Sequence, residues 1–335
     1  MPADIPGIHH VTAIASDPGR NYAFYTERLG LRLVKRSVNQ DDVSVYHLFY
    51  GDRSGTPGTS MTFFPYTDAS NGRVGTGQAS TVQFLIPEDS VEYWVDRFES
   101  DGVDADEPRE RFDDTVIPFR DPEGLPLELV ARTDAPAGDP PDGTVPAEHA
   151  IRGFFGVTLS LSTASQTGNL LKTMGFQPTR SSKDRQRFEA GGDLGYVVDV
   201  LVDPEAPQGE PGAGTVHHVA FQVSDAEQAQ WHDTLVDRGL RPTQIIDRKW
   251  FKSIYARTDG GVLLEFATKS PGYTVDEDVD ELGERLVLPE WLEDRRDEVN
   301  RYNNPYDSPR PSESPRTEGA GPRLSRGPPR ATAGA

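Results

Sequence analysis

Four times along the chain, hydrophobic and polar positions fall in the same order. An alternating run is followed by a stretch with helical spacing that ends at glycine, and then by further alternating runs. In the first unit, residues 8–15 read as a strand and residues 18–29 as a helix stopped by Gly30, with strands near 31–37, 43–50 and 59–64. The fourth unit repeats this with a strand at 215–223, a helix over 226–238 stopped by Gly239, and strands near 243–247, 251–257 and 261–267. The second unit runs from strand 80–86 through helix 89–100 and Gly102 to a strand at 125–130. The third runs from strand 156–161 through helix 165–174 and Gly175 to a strand at 196–201.

Four units of one order predict an α+β fold of four βαβββ modules in two tandem halves with open, barrel-like sheets. The expected division is 5–132 and 150–269, each holding two modules, joined by a Pro-, Asp-, Ala- and Gly-rich linker at 133–149. Residues 270–301 read as a charged C-terminal arm with a short helix, anchored by Leu286, Val287, Leu288, Trp291 and Leu292. Residues 302–335, rich in Pro, Arg, Ser and Gly, are expected to be disordered.

Composition narrows the function classes. The chain carries 54 acidic and 34 basic residues for a net charge of −20, which disfavours nucleic acid and anionic membranes as partners. Only six of the basic residues are lysine, a balance resembling proteins of salt-rich cytoplasm, so a halophilic, cytoplasmic protein is expected. Mean hydropathy is −0.59, and no apolar run approaches the roughly 20 residues of a membrane span. The N-terminus shows no secretory pattern. With no cysteine, any metal must be held by imidazole and oxygen.

Candidate chemistry lies in the repeat itself. Ile8-His9-His10-Val11 and Val216-His217-His218-Val219 place paired histidines in the first strands of the first and fourth units. Strand alternation allows one histidine of each pair to face a given side. His217, Val219, Phe221 and Val223 form the more apolar set and should pack on the module's helix. His218 then faces the cavity, and by the same parity so do His10 and Thr12, with His9 and Val11 behind. Glu265 interrupts the apolar strand 262–267, where an isolated carboxylate would cost several kcal/mol unless paired or bound to a cation. Two histidines and one carboxylate form the donor set of non-haem Fe(II) oxygenases. The matching positions of the second and third units hold Glu128 and Asp199, but Thr81 and Gly156 stand where histidine is needed, so a second site should be metal-free. His47 reads as a core residue or one standing behind a ligand, and His149 and His232 as surface residues.

These motifs, with Tyr46-His47-Leu48-Phe49-Tyr50-Gly51-Asp52, the run from Arg248 through Tyr255 to Glu265, and Leu288-Pro289-Glu290-Trp291-Leu292-Glu293, resemble the vicinal oxygen chelate superfamily. Within it, the chain looks like PcpA-type dioxygenases that open hydroquinone rings. The resemblance covers residues 5 to about 297. It implies Fe(II) held by His10, His218 and Glu265, with Mn(II) as the other metal such N/O ligands accept. It further implies supporting roles for His9, Thr12, His217, Arg248 and Tyr255, in which Tyr255 and a histidine move protons and Arg248 steadies negative charge. The implied partners are a small aromatic substrate and O2, and families of this type often form homo-oligomers. The preference for a hydroquinone over a catechol rests on the resemblance alone. Two other readings stay open: a metal-dependent glyoxalase-type isomerase or lyase, and a non-catalytic small-molecule-binding protein of the same fold. The first would need a fourth protein ligand, and the strand 60–64 offers no carboxylate.

Overall fold

The computed structural model describes residues 2–302, so the tail expected to be disordered lies, from residue 303 on, outside the described residues. Four βαβββ modules are present. The first comprises β1 (Ile8–Ala15), α1 (Pro18–Ala23), β2 (Arg32–Asn39), β3 (Asp42–Gly51) and β4 (Ser60–Pro65). Asp17 starts α1 by accepting the Arg20 N–H at 2.9 Å, and Pro18 takes the first turn, where no donor is needed. The helix then widens into a π-turn over Phe24–Arg28, closed by the Leu29 N–H on the Phe24 carbonyl at 3.1 Å. Gly30 ends it with φ +70°, and a Cβ there would lie 2.6 Å from Val145 Cγ2.

The second module holds β5 (Gln78–Pro87), α2 (Val91–Asp101), β6 (Arg109–Arg111), β7 (Asp114–Arg120) and β8 (Pro126–Arg132). The third holds β9 (Gly153–Leu161), α3 (Ser165–Thr173), β10 (Gln177–Ser181), β11 (Arg185–Glu189) and β12 (Val197–Val202). The fourth holds β13 (Thr215–Val223), α4 (Gln228–Asp237), β14 (Ile246–Asp247), β15 (Lys252–Arg257) and β16 (Leu263–Thr268). β14 is a two-residue fragment of the strand expected at 243–247.

The modules share sheets in pairs. One eight-stranded sheet runs β14-β15-β16-β13-β1-β4-β3-β2, joining the fourth module to the first; the other runs β10-β11-β12-β9-β5-β8-β7-β6, joining the third to the second. The helices cover the sheets with their apolar faces: Trp94 and Phe98 of α2, and Trp231 and Leu235 of α4, are fully enclosed. Among the described residues, no helix is long and apolar enough to cross a membrane.

The arm follows as short 3₁₀ turns and α5 (Arg296–Tyr302). Leu288 and Leu292 are buried against Val38, Val43 and Val299, as anchors should be. Trp291 is not an anchor: it is 49% exposed, because the 3₁₀ turn at Glu290–Arg295 directs Leu292 inward and its predecessor outward. His149 departs from its expected surface place. Half-buried, it stacks on Tyr93 at 4.3 Å and meets Ser90 Oγ at 3.1 Å, pinning the linker to the second module.

Candidate metal centre

The shared sheet brings the two histidine pairs together. β1 and β13 are antiparallel neighbours, with His10 opposite Ala220 and Thr12 opposite His218. The register slips between Ile8 and His10, and again between Thr12 and Ala13 where the partner skips from His218 to Val216. His9 and His217 are therefore the extra residues of two β-bulges related by the internal repeat. At a bulge strict alternation fails. Adjacent rings that should point apart instead meet, His9 Nδ1 with His10 Nδ1 at 2.9 Å and His217 Nδ1 with His218 Nδ1 at 2.7 Å. His217 thus does not pack on α4 as the alternation predicted; it is exposed and lines the same cavity as His218. His9 is buried behind His10, its ring 5.2 Å from Phe251.

The third element is β16, which runs parallel to β13 and sets Glu265 opposite Ala220, on the face of His218. Glu265 Oε2 lies 2.9 Å from His218 Nε2 and 3.2 Å from His10 Nε2, and the two Nε2 atoms are 3.4 Å apart. All three residues are buried. Ligand atoms about 2.1 Å from a common ion and at right angles to one another sit about 3 Å apart, so these separations fit three adjacent corners of an octahedron. Among the described residues, this is the group of His, Asp and Glu side chains whose ligand atoms converge so closely.

Charge balance points the same way. Ser253 donates to Glu265 Oε1 at 2.5 Å, while Oε2 has no hydrogen-bond donor and is enclosed. For Nε2 of His10 and His218 to present lone pairs, each Nδ1 carries the proton and donates to His9 or His217. Two lone pairs and a carboxylate oxygen then face one point, an arrangement that a cation balances. A proton is a poor candidate at His218, whose pKa burial lowers despite the neighbouring Glu265. Burial likewise pushes His9 down to about 3, so this supporting ring is a neutral acceptor. Burial would raise the Glu265 pKa, and it is positive charge or a hydrogen bond from the side of His10 and His218 that holds the carboxyl well below its usual range, the part a cation takes when these rings present lone pairs.

A cavity of about 550 Å³ opens on His10 and His218, walled by Phe49, Phe64, Trp250, Phe251 and Leu263. Tyr255 stands opposite Glu265 on β15, its ring edge-on to His218 at 5.7 Å. Burial raises its pKa, so the hydroxyl keeps its proton. The Arg248 guanidinium lies 5.3 Å from the Tyr255 ring and is held from behind by both carboxylate oxygens of Asp41, at 2.8 and 3.2 Å. Thr12 is enclosed and bonds Thr62 Oγ1 at 2.8 Å, and Thr62 meets His47 Nε2 at 2.9 Å. Asp41, Ser253 and Thr62 escaped the sequence reading. Ser253 was findable, two residues before Tyr255 on one strand face, and so was Thr62, which occupies in β4 the place Glu265 holds in β16.

The second sheet answers the same register differently. Glu128 lies opposite Gln83 and Asp199 opposite Thr158, with Thr81 and Gly156 two residues back, as histidines are in the other sheet. A Cβ on Gly156 would lie 2.1 Å from the Val197 carbonyl oxygen, so no ligand-bearing residue fits there. Arginines supply the positive charge: Arg111 binds Glu128 at 2.6 Å, and Arg187 binds Asp199 at 2.9 and 3.1 Å.

Comparison with known proteins places these features. Residues 7–129 match the sequence profile of the glyoxalase/bleomycin resistance protein/dioxygenase superfamily. The chain is 43% identical over 298 residues to MhqE of Bacillus subtilis, a predicted ring-cleaving dioxygenase, covering 88% of this chain and 96% of that one. It is 33% identical over 315 residues to the chlorohydroquinone/hydroquinone 1,2-dioxygenase of Sphingobium indicum, covering 91% of this chain and 98% of that one. The crystal structure of a predicted dioxygenase from Bacillus subtilis superposes with a TM-score of 0.86 at 38% identity, covering 89% of this chain and 96% of that one. Maize glyoxalase I shares the fold alone, with a TM-score of 0.59 at 16% identity over 79% of this chain and 92% of that one.

Proposed function

The chain belongs to the glyoxalase/bleomycin resistance protein/dioxygenase superfamily, and from that premise we propose that it is a Fe(II)-dependent dioxygenase that cleaves the ring of a hydroquinone-like aromatic. The observation that carries this reading is the convergence of His10, His218 and Glu265, without a fourth ligand among the described residues, at the floor of an aromatic-walled cavity. Three protein ligands on one side leave room on the other for two small partners, the aromatic and O2. Fe(II), when bound, supplies the electron donation that activates O2 and accepts an ionised phenolic oxygen. The N/O donor set would also accept Mn(II).

The chain's own residues do the rest. Phe49, Phe64 and Trp250 hold an aromatic ring by face and edge and keep water out. His217 receives a hydrogen bond at Nδ1 and keeps Nε2 for a proton at the cavity wall. Tyr255 is a protonated donor beside the triad. Arg248, braced by Asp41, offers fixed positive charge next to it. His9 and Thr12 act from behind, His9 by fixing the His10 ring and Thr12 through Thr62. As units of duplication we take 5–132 and 150–269, with the linker 133–149 between them.

A glyoxalase-type reaction fits less well, because the residue of the first module equivalent to Glu265 is Thr62, engaged with Thr12 and His47. The deciding experiment is anaerobic reconstitution with Fe(II), followed by oxygen uptake with hydroquinones. One O2 consumed per ring opened supports the reading. Turnover of a thiol adduct of methylglyoxal with Ni(II) or Zn(II) and no oxygen would replace it with the isomerase.

A further inference from the structure

Resting on that reading, we infer that His47 recognises the distal hydroxyl of a para-dihydroxy ring and thereby sets hydroquinones against simple phenols and catechols. His47 lies on β3 and lines the same cavity as His10 and His218. Its ring is clamped between Phe49, with centroids 3.8 Å apart, and Phe64, at 4.4 Å. Its Nε2 is fixed by Thr62 Oγ1 at 2.9 Å, and Thr62 in turn by Thr12 at 2.8 Å. Its other nitrogen, Nδ1, bonds no protein atom and is not sealed from the cavity. Such an imidazole is held rigidly and keeps one hydrogen-bonding position for a visitor.

The internal repeat explains how it comes to stand there. In the fourth module, Tyr255 lies opposite Glu265, and Ser253, two residues before Tyr255, bonds the carboxylate. In the first module, Phe49 lies opposite Thr62, and His47, two residues before Phe49, bonds that hydroxyl. His47 is thus the counterpart of Ser253, but its longer side chain lets it bond backward while its far edge reaches the cavity. Most other polar groups on this wall are committed. Arg248 turns two of its nitrogens to Asp41, Asn39 Nδ2 bonds the Tyr66 hydroxyl at 3.1 Å, and Gln40 Nε2 bonds the Arg248 carbonyl at 3.0 Å. Burial keeps His47 neutral, so through its hydroxyl chain it can present either a lone pair or an N–H.

A ring held at the triad through one oxygen points its para substituent across the cavity, whereas an ortho hydroxyl turns back toward the metal. A hydrogen bond from the cavity-facing Nδ1 of His47, beyond its bond to Thr62, therefore rewards the para-diol. One neutral bond of this kind is worth about tenfold in affinity.

The test is anaerobic calorimetry of the Fe(II)-loaded protein with hydroquinone, catechol and phenol, using wild type, His47→Phe, His47→Ala and Tyr66→Phe. The wild type should bind hydroquinone about tenfold more tightly than phenol, and His47→Phe should bring that ratio to within about twofold while leaving the phenol affinity unchanged. His47→Ala should do the same, which covers the case in which Phe cannot be accommodated. An undiminished ratio in both variants overturns the inference, as does a ratio that collapses in Tyr66→Phe instead. Parallel loss of phenol binding also overturns it, since that makes His47 merely structural. Binding without oxygen separates this result from turnover: ring cleavage with an unchanged ratio sinks the role of His47 alone, while the expected ratio without cleavage sinks the dioxygenase reading alone.

Discussion

Ser253 orients the carboxylate of the candidate metal centre. Its hydroxyl fixes Glu265 Oε1, which leaves Oε2 aimed at His10 and His218 rather than free to rotate. Replacing it with alanine should lower metal affinity by about 10–100-fold, the usual effect of losing a residue that orients a ligand. Competition against a chelator of known affinity measures this, and unchanged affinity would mean that β16 alone orients the carboxylate. Removing a ligand is harsher: His218→Ala should lose the metal while keeping the near-ultraviolet circular dichroism of the fold, and full retained activity would refute its assignment. At this scale the sequence is informative where alternation holds. Glu265 stands out as a carboxylate in an apolar strand, and the duplicated histidine pairs mark β1 and β13. His217 was misplaced because a bulge changes which way a residue faces without changing its identity or its neighbours. Asp41 left no signal, since it meets Arg248 only through the packing of distant segments.

Elements carry a different kind of cost. The turn between β7 and β8 is built on Asp121, whose Oδ1 accepts the Glu123 and Leu125 N–H groups, each at 2.9 Å, and whose Oδ2 accepts the Tyr25 hydroxyl at 3.2 Å. Burial nevertheless raises its pKa from 3.8 to about 6. The folded state therefore binds the proton more tightly than the unfolded state does. The associated stability is fully present below about pH 4 and is lost as pH rises through about 6, up to about 3 kcal/mol. Asparagine can keep all three bonds, by Oδ1 to the two amides and Nδ2 to the tyrosine oxygen. Asp121→Asn should therefore gain on the wild type as pH rises from about 4 to about 8, read from urea unfolding at several pH values. A pH-independent difference would show that the carboxyl titrates normally. In the second sheet, by contrast, Asp199→Ala leaves the buried Arg187 with one of its two carboxylate partners, Asp114, and should cost up to about 3 kcal/mol. Four modules could be read from the chain because helix stops and strand periods are local. Which modules share a sheet could not, because alternation fixes a strand's faces and not its neighbour.

The whole molecule sets a few internal cations against a surface dense in acid. Lys35 is fully enclosed between Asp276 and Glu277 and lies 5.5 Å from the Trp250 ring, tying the C-terminal arm to the first module beside the aromatic cavity. Lys249 adds a bond to Glu290 at 2.6 Å. Two of the six lysines thus serve the arm, and the whole chain carries a net charge of −20. These two contributions respond differently to salt. Buried pairs such as Lys35 with Glu277 are little screened, whereas repulsion among exposed carboxylates fades as the screening length falls from about 10 Å at 0.1 M to about 3 Å at 1 M. Where that repulsion outweighs the attraction of the exposed ion pairs, the melting temperature should climb between 0.1 and 2 M KCl and level off once screening is complete. The metal triad, enclosed and short-ranged, should keep its affinity across the same range. A melting temperature that stays flat or falls with KCl would mean that the acidic surface is no adaptation to salt, and that the few cations holding the arm already balance what the fold requires.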